Sequence, residues 1–254
     1  YKACRAASIL GTLQAGYTDF KFLTDTSKLI FDREALLGVS ITGWMNNPDI
    51  LFDQKILEKG AKIVKEVNRE VAQIIGINPA ARTTCVKPSG NASVLLQTAS
   101  GIHAEHSNMY IRNVQMNKES EITQAIMKTN PYMVEESVWS STGTDVVVSF
   151  PILPKKGSMY KDDLLGIKHL ELVKKAQKHW VETGTNEELC ADKGIRHNVS
   201  NTIIVDDWDN VEKYVYENRD AFAGISFLAM TGDKDYNQAP NTGVIDSKTM
   251  VKKY

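Results

Sequence analysis

Cysteine is scarce in this chain, and its positions argue against two of its common structural uses. The 254 residues contain Cys4, Cys85 and Cys190, with no Cys-x-x-Cys pair. An odd number of widely separated cysteines argues against a disulfide framework and against a zinc site. It favours a reducing compartment, so we expect a cytoplasmic protein.

Long apolar runs and a surplus of one charge are also missing. No run is long enough to cross a bilayer, and the net charge of -1 gives no basis for a membrane or nucleic-acid surface. The hydrophobic content of 42% and the charged content of 24% are globular values. We expect one domain over residues 1–254. Because no signal peptide is evident and Tyr1 opens within a predicted helix, we also expect a segment upstream of it.

The stretch Thr83–Ser93 carries the strongest functional signal. Thr83–Val86 is β-branched or small and carries little charge, which predicts a buried strand. Residues 87–90 break this strand, and residues 91–93 lead into a short helix predicted over Val94–Gln97. A strand, a tight glycine turn and a helix N-terminus form a geometry that binds phosphate. The first N–H groups of the helix have no partner inside it, and its dipole favours an anion there.

Seven consecutive residues make up this candidate anion site. They are Lys87, Pro88, Ser89, Gly90, Asn91, Ala92 and Ser93. The two serines and the asparagine could add side-chain donors, the glycine lets the backbone come close, and the lysine adds charge. The same residues are also typical of an ordinary helix cap, because Ser and Asn are preferred there. The Walker pattern G-x-x-x-x-G-K-[ST] is absent.

Alternating strand and helix patterns place the chain in the α/β class. Residues 1–16 predict a buried helix, and Leu36–Thr42 predicts a strand. Asp53 is the predicted N-cap of a long amphipathic helix that stops at Gly76, so the flanking strands form a βαβ unit. The later predicted elements are strands at Tyr110–Val114, Val146–Phe150, Val199–Val205 and Gly224–Leu228, helices at Glu119–Lys128, Leu164–Val181 and Trp208–Asn218, a polar loop at Asp233–Pro240 and a basic end. This order predicts a largely parallel sheet or barrel.

Several titratable residues are compatible with catalysis or metal binding and also with an ordinary structural role. His103 and His106 have a metal-like composition, but histidines three apart without a carboxylate pattern are typical of loops. The adjacent pairs Glu135-Glu136 and Asp206-Asp207 could serve acid–base chemistry, although such pairs usually lie on solvated turns. Cys85 lies in the strand that feeds the anion site, where a lone cysteine is typically a small hydrophobe.

A series of segments, taken in order, resembles the adenosylcobalamin-dependent (class II) ribonucleotide reductases, nearest to the monomeric ribonucleoside-triphosphate type. The segments are Leu10–Phe20, Arg33–Gly43, Asn78–Gly90, Ser100–His103, Val134–Trp139, Arg196–Thr202, Ala223–Leu228 and Gln238–Pro240. Their order and spacing over essentially the whole chain carry the likeness.

The resemblance implies a fold, a cofactor and a role for the anion site. The fold would be α/β, the second half of a ten-stranded α/β barrel. Lys87–Ser93 would hold the phosphates of a ribonucleotide substrate, with Gly101-Ile102-His103 near the same pocket. The family has Thr where this chain has Asn91, which keeps a side-chain donor. The chemistry implied is reduction of the ribose 2′-carbon through a thiyl radical that adenosylcobalamin generates.

The resemblance also shows what this chain does not carry. The family's radical cysteine lies in an Asn-x-Cys-x-Glu loop, which does not occur here. Cys4, Cys85 and Cys190 match neither that cysteine nor the two that reduce the substrate, and the C-terminal pair that receives electrons is absent. No catalytic residue and no metal ligand is therefore assigned. The implied partners are a polypeptide with the N-terminal half and the radical cysteine, and a thioredoxin-like or other thiol reductant.

Two other functions are compatible with the same residues. One is a non-catalytic nucleotide-binding or scaffold module derived from this family. The other is an unrelated phosphosugar enzyme on an α/β barrel, which would need an acid–base pair of its own.

Overall fold

The computed structural model describes residues 1–230 and 236–244. Packing divides the chain into two compact units. The first contains Tyr1–His103 and Leu164–Ala229, and the second contains Ala104–Asp163 and the described part of Met230–Tyr254. The predicted polar loop lies partly outside the described residues, and the basic end lies wholly outside them. The single domain over 1–254 stays a prediction.

Eight α-helices and eight strands are named in chain order within the described residues. The helices are α1 (Lys2–Ala15), α2 (Asp25–Glu34), α3 (Pro48–Leu51), α4 (Gln54–Ile75), α5 (Gly90–Leu95), α6 (Glu121–Thr129), α7 (Gly166–Ala176) and α8 (Trp208–Glu217). The strands are β1 (Val39–Ser40), β2 (Thr84–Cys85), β3 (Tyr110–Asn117), β4 (Val134–Glu136), β5 (Asp145–Ile152), β6 (Ile203–Val205), β7 (Phe227–Ala229) and β8 (Asn241–Gly243). None of these helices is long and apolar enough to cross a membrane.

The strands of the first unit pair in parallel, as predicted. β1 pairs with β2, and β6 pairs with β7. Val86, just after β2, forms a parallel bridge with Val199, shortly before β6. These strands are shorter than predicted, since the predicted Leu36–Thr42 contributes two ladder residues to β1. Helix α4 connects β1 to β2, which gives the expected βαβ order.

Helix α4 forms where its local signals placed it. The Asp53 carboxylate accepts a hydrogen bond from Ile56 N at 2.9 Å, and Gly76 ends the helix in the left-handed region at φ +77°. A glycine there avoids the clash that a Cβ would create. Seven α4 residues are buried in one stripe: Leu57, Gly60, Ala61, Val64, Val67, Asn68 and Ala72. The small Gly60 allows close approach of Trp180, a fully buried side chain.

Helix α1 is present as predicted, but its burial is the reverse of the prediction. Ser8 and Thr12 are its buried residues, whereas Leu10 is 62% exposed. The two hydroxyls lie against α4. Ser8 Oγ donates to Val64 O at 2.8 Å, and Thr12 Oγ1 accepts from Asn68 Nδ2 at 2.9 Å. The expectation of a buried apolar helix was wrong, because small hydrogen-bonded side chains make this helix contact instead.

The second unit corrects the expectation of a largely parallel sheet. Its strands lie in the order β4-β5-β3-β8, and each neighbouring pair is antiparallel. In the β3–β5 ladder, Asn113 lies opposite Ser149 and Gln115 lies opposite Val147. The expectation was wrong for this unit. Alternation along a strand indicates which face is buried, but it does not give the direction of the neighbouring strand.

Candidate functional site

The predicted anion-site residues form one exposed turn at the end of β2. Thr84 and Cys85 are buried and both are bonded to Trp180: Thr84 Oγ1 donates to the Trp180 backbone carbonyl at 2.7 Å, and Trp180 Nε1 donates to Cys85 O at 2.9 Å. From Lys87 the chain reaches the surface, and Gly90 is exposed as well. The strand is buried as predicted, and the turn that follows it is accessible to solvent.

The helix after this turn begins earlier than the sequence predicted. It runs over Gly90–Leu95 instead of Val94–Gln97, and Gln97 has already left the helix at φ +53°. Ser89 is the N-cap residue, and its side chain makes no capping hydrogen bond. The N–H groups of the first helical residues, at positions 90–92, point out of the helix start without an acceptor inside it. This places the first backbone donors of the helix four residues closer to Lys87 and Pro88 than a helix starting at Val94 would.

Two serine hydroxyls from outside the turn hold its backbone in place. Lys87 N donates to Ser40 Oγ at 2.9 Å, and Ser89 N donates to Ser100 Oγ at 2.7 Å. Pro88, between them, has no N–H. The turn's own donors before the helix are thus all used or missing, so an anion can receive backbone hydrogen bonds from Gly90 onward only.

A second loop supports the turn from behind. Gly101 adopts φ +55°, and a Cβ added there would lie 3.0 Å from Lys87 O. Gly101 N donates to Thr42 Oγ1 at 3.0 Å, and Ala99 N donates to Asn46 Oδ1 at 2.7 Å. The segment after β1 therefore fixes the loop that backs the anion site.

His169, on α7, anchors the same supporting loop. Its Nε2 donates to Ile102 O at 3.1 Å, and burial lowers the pKa of His169 to about 4. The ring is consequently neutral near pH 7, and one ring nitrogen carries the proton that the carbonyl accepts. Its role is to position the loop.

The seven predicted site residues differ in what they can offer a ligand. Ser93 is buried and its hydroxyl donates to Ser89 O, so it closes the first helical turn. Lys87 and Asn91 are exposed, and Ser89 is half-buried. Gly90 has no atom within 4 Å of an added Cβ, so the space beside it is open. Pro88 and Ala92 contribute backbone position without polar side-chain atoms.

The other candidate residues take structural places. His103 Nδ1 donates to Ser100 O at 3.1 Å. Asp207 caps α8 by accepting from Asn210 N at 3.1 Å. Cys85 is buried, which raises the pKa of its thiol to about 11. Within residues 1–230 and 236–244, no three His, Cys, Asp or Glu side chains form a group that could hold a metal ion.

The residues that hold the turn in place were not predicted from the sequence. These are Ser40, Thr42, Asn46, Ser100 and His169. Ser100 and Thr42 fall in segments that carried the family resemblance, which was the available signal. Hydrogen bonds between residues 11 to 67 positions apart leave no local pattern.

Comparisons with known proteins agree with the resemblance found in the sequence. A probable adenosylcobalamin-dependent ribonucleoside-triphosphate reductase from Dictyostelium discoideum is 29% identical over 171 residues, which are 65% of this chain and 21% of that protein. An adenosylcobalamin-dependent ribonucleoside-triphosphate reductase from Euglena gracilis is 24% identical over 169 residues, 65% of this chain and 23% of that protein. The chain therefore spans about a fifth of the length of these relatives. No protein-family model matches it.

The fold has a counterpart among solved structures. A crystal structure of a B12-dependent (class II) ribonucleotide reductase superposes with a TM-score of 0.79 at 18% identity. The match covers 98% of this chain and 37% of that one. The resemblance is thereby confirmed: this chain is related to the adenosylcobalamin-dependent ribonucleoside-triphosphate reductases and has, over nearly all its length, the α/β fold of part of a class II ribonucleotide reductase.

Proposed function

We propose that this chain is part of an adenosylcobalamin-dependent ribonucleotide reductase that acts on ribonucleoside triphosphates. In this proposal it supplies the site for the substrate phosphates and the second half of a ten-stranded α/β barrel. The observation that carries the proposal is the turn at Lys87–Ser93, where a rigid strand ends in open backbone donors within a chain related to these reductases.

The work of the turn is to bind and orient. N–H groups of residues 90–92 would donate to phosphate oxygens, with Ser89 Oγ and the Asn91 amide as side-chain donors. The Lys87 ammonium adds positive charge at the exposed edge. Fixing the phosphates holds the ribose at a constant distance from the reacting groups, which is how positioning contributes to rate.

The chemistry itself would come from the rest of the enzyme. The three cysteines are not candidates for the radical and reducing thiols by sequence, and Cys85, with its raised pKa, is buried. A polypeptide with the N-terminal half would bring the radical cysteine, and a thioredoxin-like or other thiol reductant would restore the reducing thiols.

Adenosylcobalamin is proposed as the cofactor of the whole enzyme. It supplies the radical that starts ribose reduction. The described residues offer no metal-binding cluster, and we assign none of them to the corrin ring.

The half-barrel is supported by the parallel pairing of the first unit. β1, β2, β6 and β7 run parallel, with the Val86–Val199 bridge between the two pairs. An incomplete barrel leaves strand edges and apolar surface open, which favours association with the missing half.

The phosphate site is tested by Gly90→Val in the full-length polypeptide. A side chain at this position should block phosphate approach, while the open space around Gly90 predicts an intact fold. Gly224→Val is the matched control, because a Cβ there also meets no atom within 4 Å. We expect greatly weakened nucleotide binding in the first variant alone, measured by equilibrium dialysis with circular dichroism as the check on folding. Retained affinity in Gly90→Val would remove the phosphate assignment.

Assembly and cofactor are tested together. This chain alone should be inactive and self-associating, and adding the N-terminal half should give a complex by size-exclusion chromatography. That complex should reduce ribonucleotides only when adenosylcobalamin is present. Turnover without the cofactor, or by this chain alone, would contradict the proposal.

A non-catalytic nucleotide-binding module is the second candidate, since the turn at Lys87–Ser93 could bind a nucleotide without turnover. Nucleotide binding with no turnover, even beside the N-terminal half, would support this alternative.

A further inference from the structure

Two sequence segments that the phosphate site does not use meet in the second unit. They are Val134–Trp139 and Gln238–Pro240, about a hundred positions apart. Gln238 joins them with both ends of its amide: Oε1 accepts from Val138 N at 2.9 Å, and Nε2 donates to Glu136 O at 2.7 Å. Trp139 Nε1 donates to Asn237 O at 3.3 Å, which fixes the plane of the indole. This contact between the segments is therefore built from specific hydrogen bonds.

The joined segments border a cleft on one face of the antiparallel sheet. The cavity has a volume of about 640 Å³ and is lined by Asn113, Gln115, Trp139, Val147, Tyr236 and Gln238, with Pro240 at its edge. A smaller cavity of about 300 Å³ shares Asn113, Tyr236 and Gln238 with it and adds Glu135. The volume lies in the range of sites for small organic ligands.

The floor of the cleft is already rigid. Asn113 Nδ2 donates to Ala239 O at 2.6 Å, and Asn113 Oδ1 accepts from Ser149 Oγ at 2.7 Å. The backbone N–H of Asn113 also donates to Pro240 O at 2.9 Å. A ligand that enters would not have to order these groups, so less entropy is lost on binding.

Trp139 and Tyr236 form an aromatic corner at this cleft. Their ring centroids are 6.0 Å apart and their planes meet at 82°. Trp139 is 61% exposed and Tyr236 is 50% exposed. Perpendicular rings offer a stacking surface on one wall and an edge contact on the other, an arrangement that suits a flat aromatic ligand.

The charges around the cleft select against anions. Among its described lining residues Glu135 is charged, and none is Lys, Arg or His. Asp145 lies next to the rim and accepts from Gln115 Nε2 at 2.9 Å. A phosphorylated ligand would meet repulsion here, whereas a neutral ring with hydrogen-bonding edges would not.

We propose that this cleft binds the neutral heteroaromatic ring of a nucleoside-type ligand, by stacking on Trp139 or Tyr236. The site is separate in chemistry from the phosphate-binding turn: the turn needs phosphate, and the cleft disfavours it. Adding phosphates to a nucleoside therefore favours binding at the turn and disfavours binding at the cleft.

Equilibrium dialysis of the full-length polypeptide with adenosine and with ATP tests this. We expect adenosine to bind the cleft. Trp139→Ala should lower the affinity for adenosine about tenfold or more, which is the order expected from losing one aromatic face. Trp139→Phe keeps an aromatic face and should restore most of the affinity. Trp208→Ala, at another half-exposed tryptophan (51%), is the matched control and should have no effect.

The phosphate series separates this site from the proposed substrate site. Gly90→Val should weaken the binding of ATP and leave the Trp139-dependent binding of adenosine unchanged. Adenosine binding that is absent, or equal in Trp139→Ala and Trp208→Ala, would overturn the cleft assignment. Protection of Trp139 by another polypeptide segment in the full-length protein would overturn it as well.

Discussion

Removing the hydroxyl of Ser40 or Ser100 should weaken phosphate binding without unfolding the protein. Each hydroxyl accepts a hydrogen bond from one N–H of the turn, at Lys87 and Ser89 respectively. In Ser40→Ala and Ser100→Ala that N–H loses its partner. The backbone on either side of Pro88 is then held less firmly. The donors of the helix start then spend less time in the orientation that a phosphate requires.

The size of the effect follows from the two hydrogen bonds. A single protein hydrogen bond contributes about 0.5–1.5 kcal/mol, and about 1.4 kcal/mol changes an equilibrium constant tenfold. We therefore expect KM for the nucleotide to rise by about 2- to 12-fold in each variant, with kcat nearly unchanged. Ser100→Ala should have the larger effect, since water reaches the half-buried Ser89 less easily than the exposed Lys87.

Steady-state kinetics of the assembled reductase measure this effect. The ligands compared are the nucleotide and the phosphate-free nucleoside. Ser40→Thr and Ser100→Thr keep the hydroxyl and should restore KM. Ser141→Ala, at an exposed serine of the second unit, controls for loss of a serine in general. A general structural defect would lower the melting temperature and affect nucleoside and nucleotide alike. Unchanged KM in both alanine variants, while Gly90→Val still greatly weakens nucleotide binding, would refute the positioning role and leave the phosphate site in place.

Three further predictions concern buried groups. Burial lowers the pKa of His169 to about 4, so the unfolded chain binds an extra proton between about pH 4 and 6.5, and stability should fall as pH decreases through that window. His169→Gln should flatten this part of the pH profile of the urea midpoint, and an unchanged slope would contradict the assignment. Cys85 should resist iodoacetamide near pH 7 until the protein unfolds, because burial raises its pKa to about 11, and alkylation in the native state by mass spectrometry would contradict this. Gly184→Ala should lower the melting temperature, since the added Cβ would overlap the Thr84 side chain at a cost of roughly 1–3 kcal/mol. Gly90→Ala should not lower the melting temperature. Equal melting temperatures for Gly184→Ala and Gly90→Ala would argue against this packing.

Features with a local cause were predictable from the sequence. Asp53 and Gly76 bound α4 as predicted, because a cap and a left-handed stop depend on residues within one turn. The buried strand and the turn that interrupts it were predicted for the same reason. Lys87-Pro88 cannot continue a buried strand, and Gly90 is compatible with a helix start.

Features with a distant cause were not predictable. Ser40 lies 47 positions from Lys87, and no local pattern connects them. The pairing of β3 with β5 across α6 could not be read from either strand, although both strands were predicted. Helix α5 starts at Gly90 instead of Val94 because Ser100, from the following loop, fixes the N–H of Ser89, the residue before the helix.

The apolar side of α1 is exposed, although the helix was predicted to be buried. The proposed partner polypeptide offers a reason for this difference. Leu10 and Tyr17 line, with Phe31 and Leu36, a cavity of about 620 Å³ on the first unit. Burial of apolar surface contributes about 25 cal/mol per Å², so an open apolar face favours a covering partner. The matching class II structure is much longer than this chain, which covers 37% of it, and the N-terminal half that we propose as a partner would be such a cover. Under that proposal the helix would make two different contacts: hydroxyls against α4 within the chain, and leucines toward the partner polypeptide. The apolar positions of residues 1–16 predicted a buried helix, because periodicity reports an apolar face without reporting which surface will cover it.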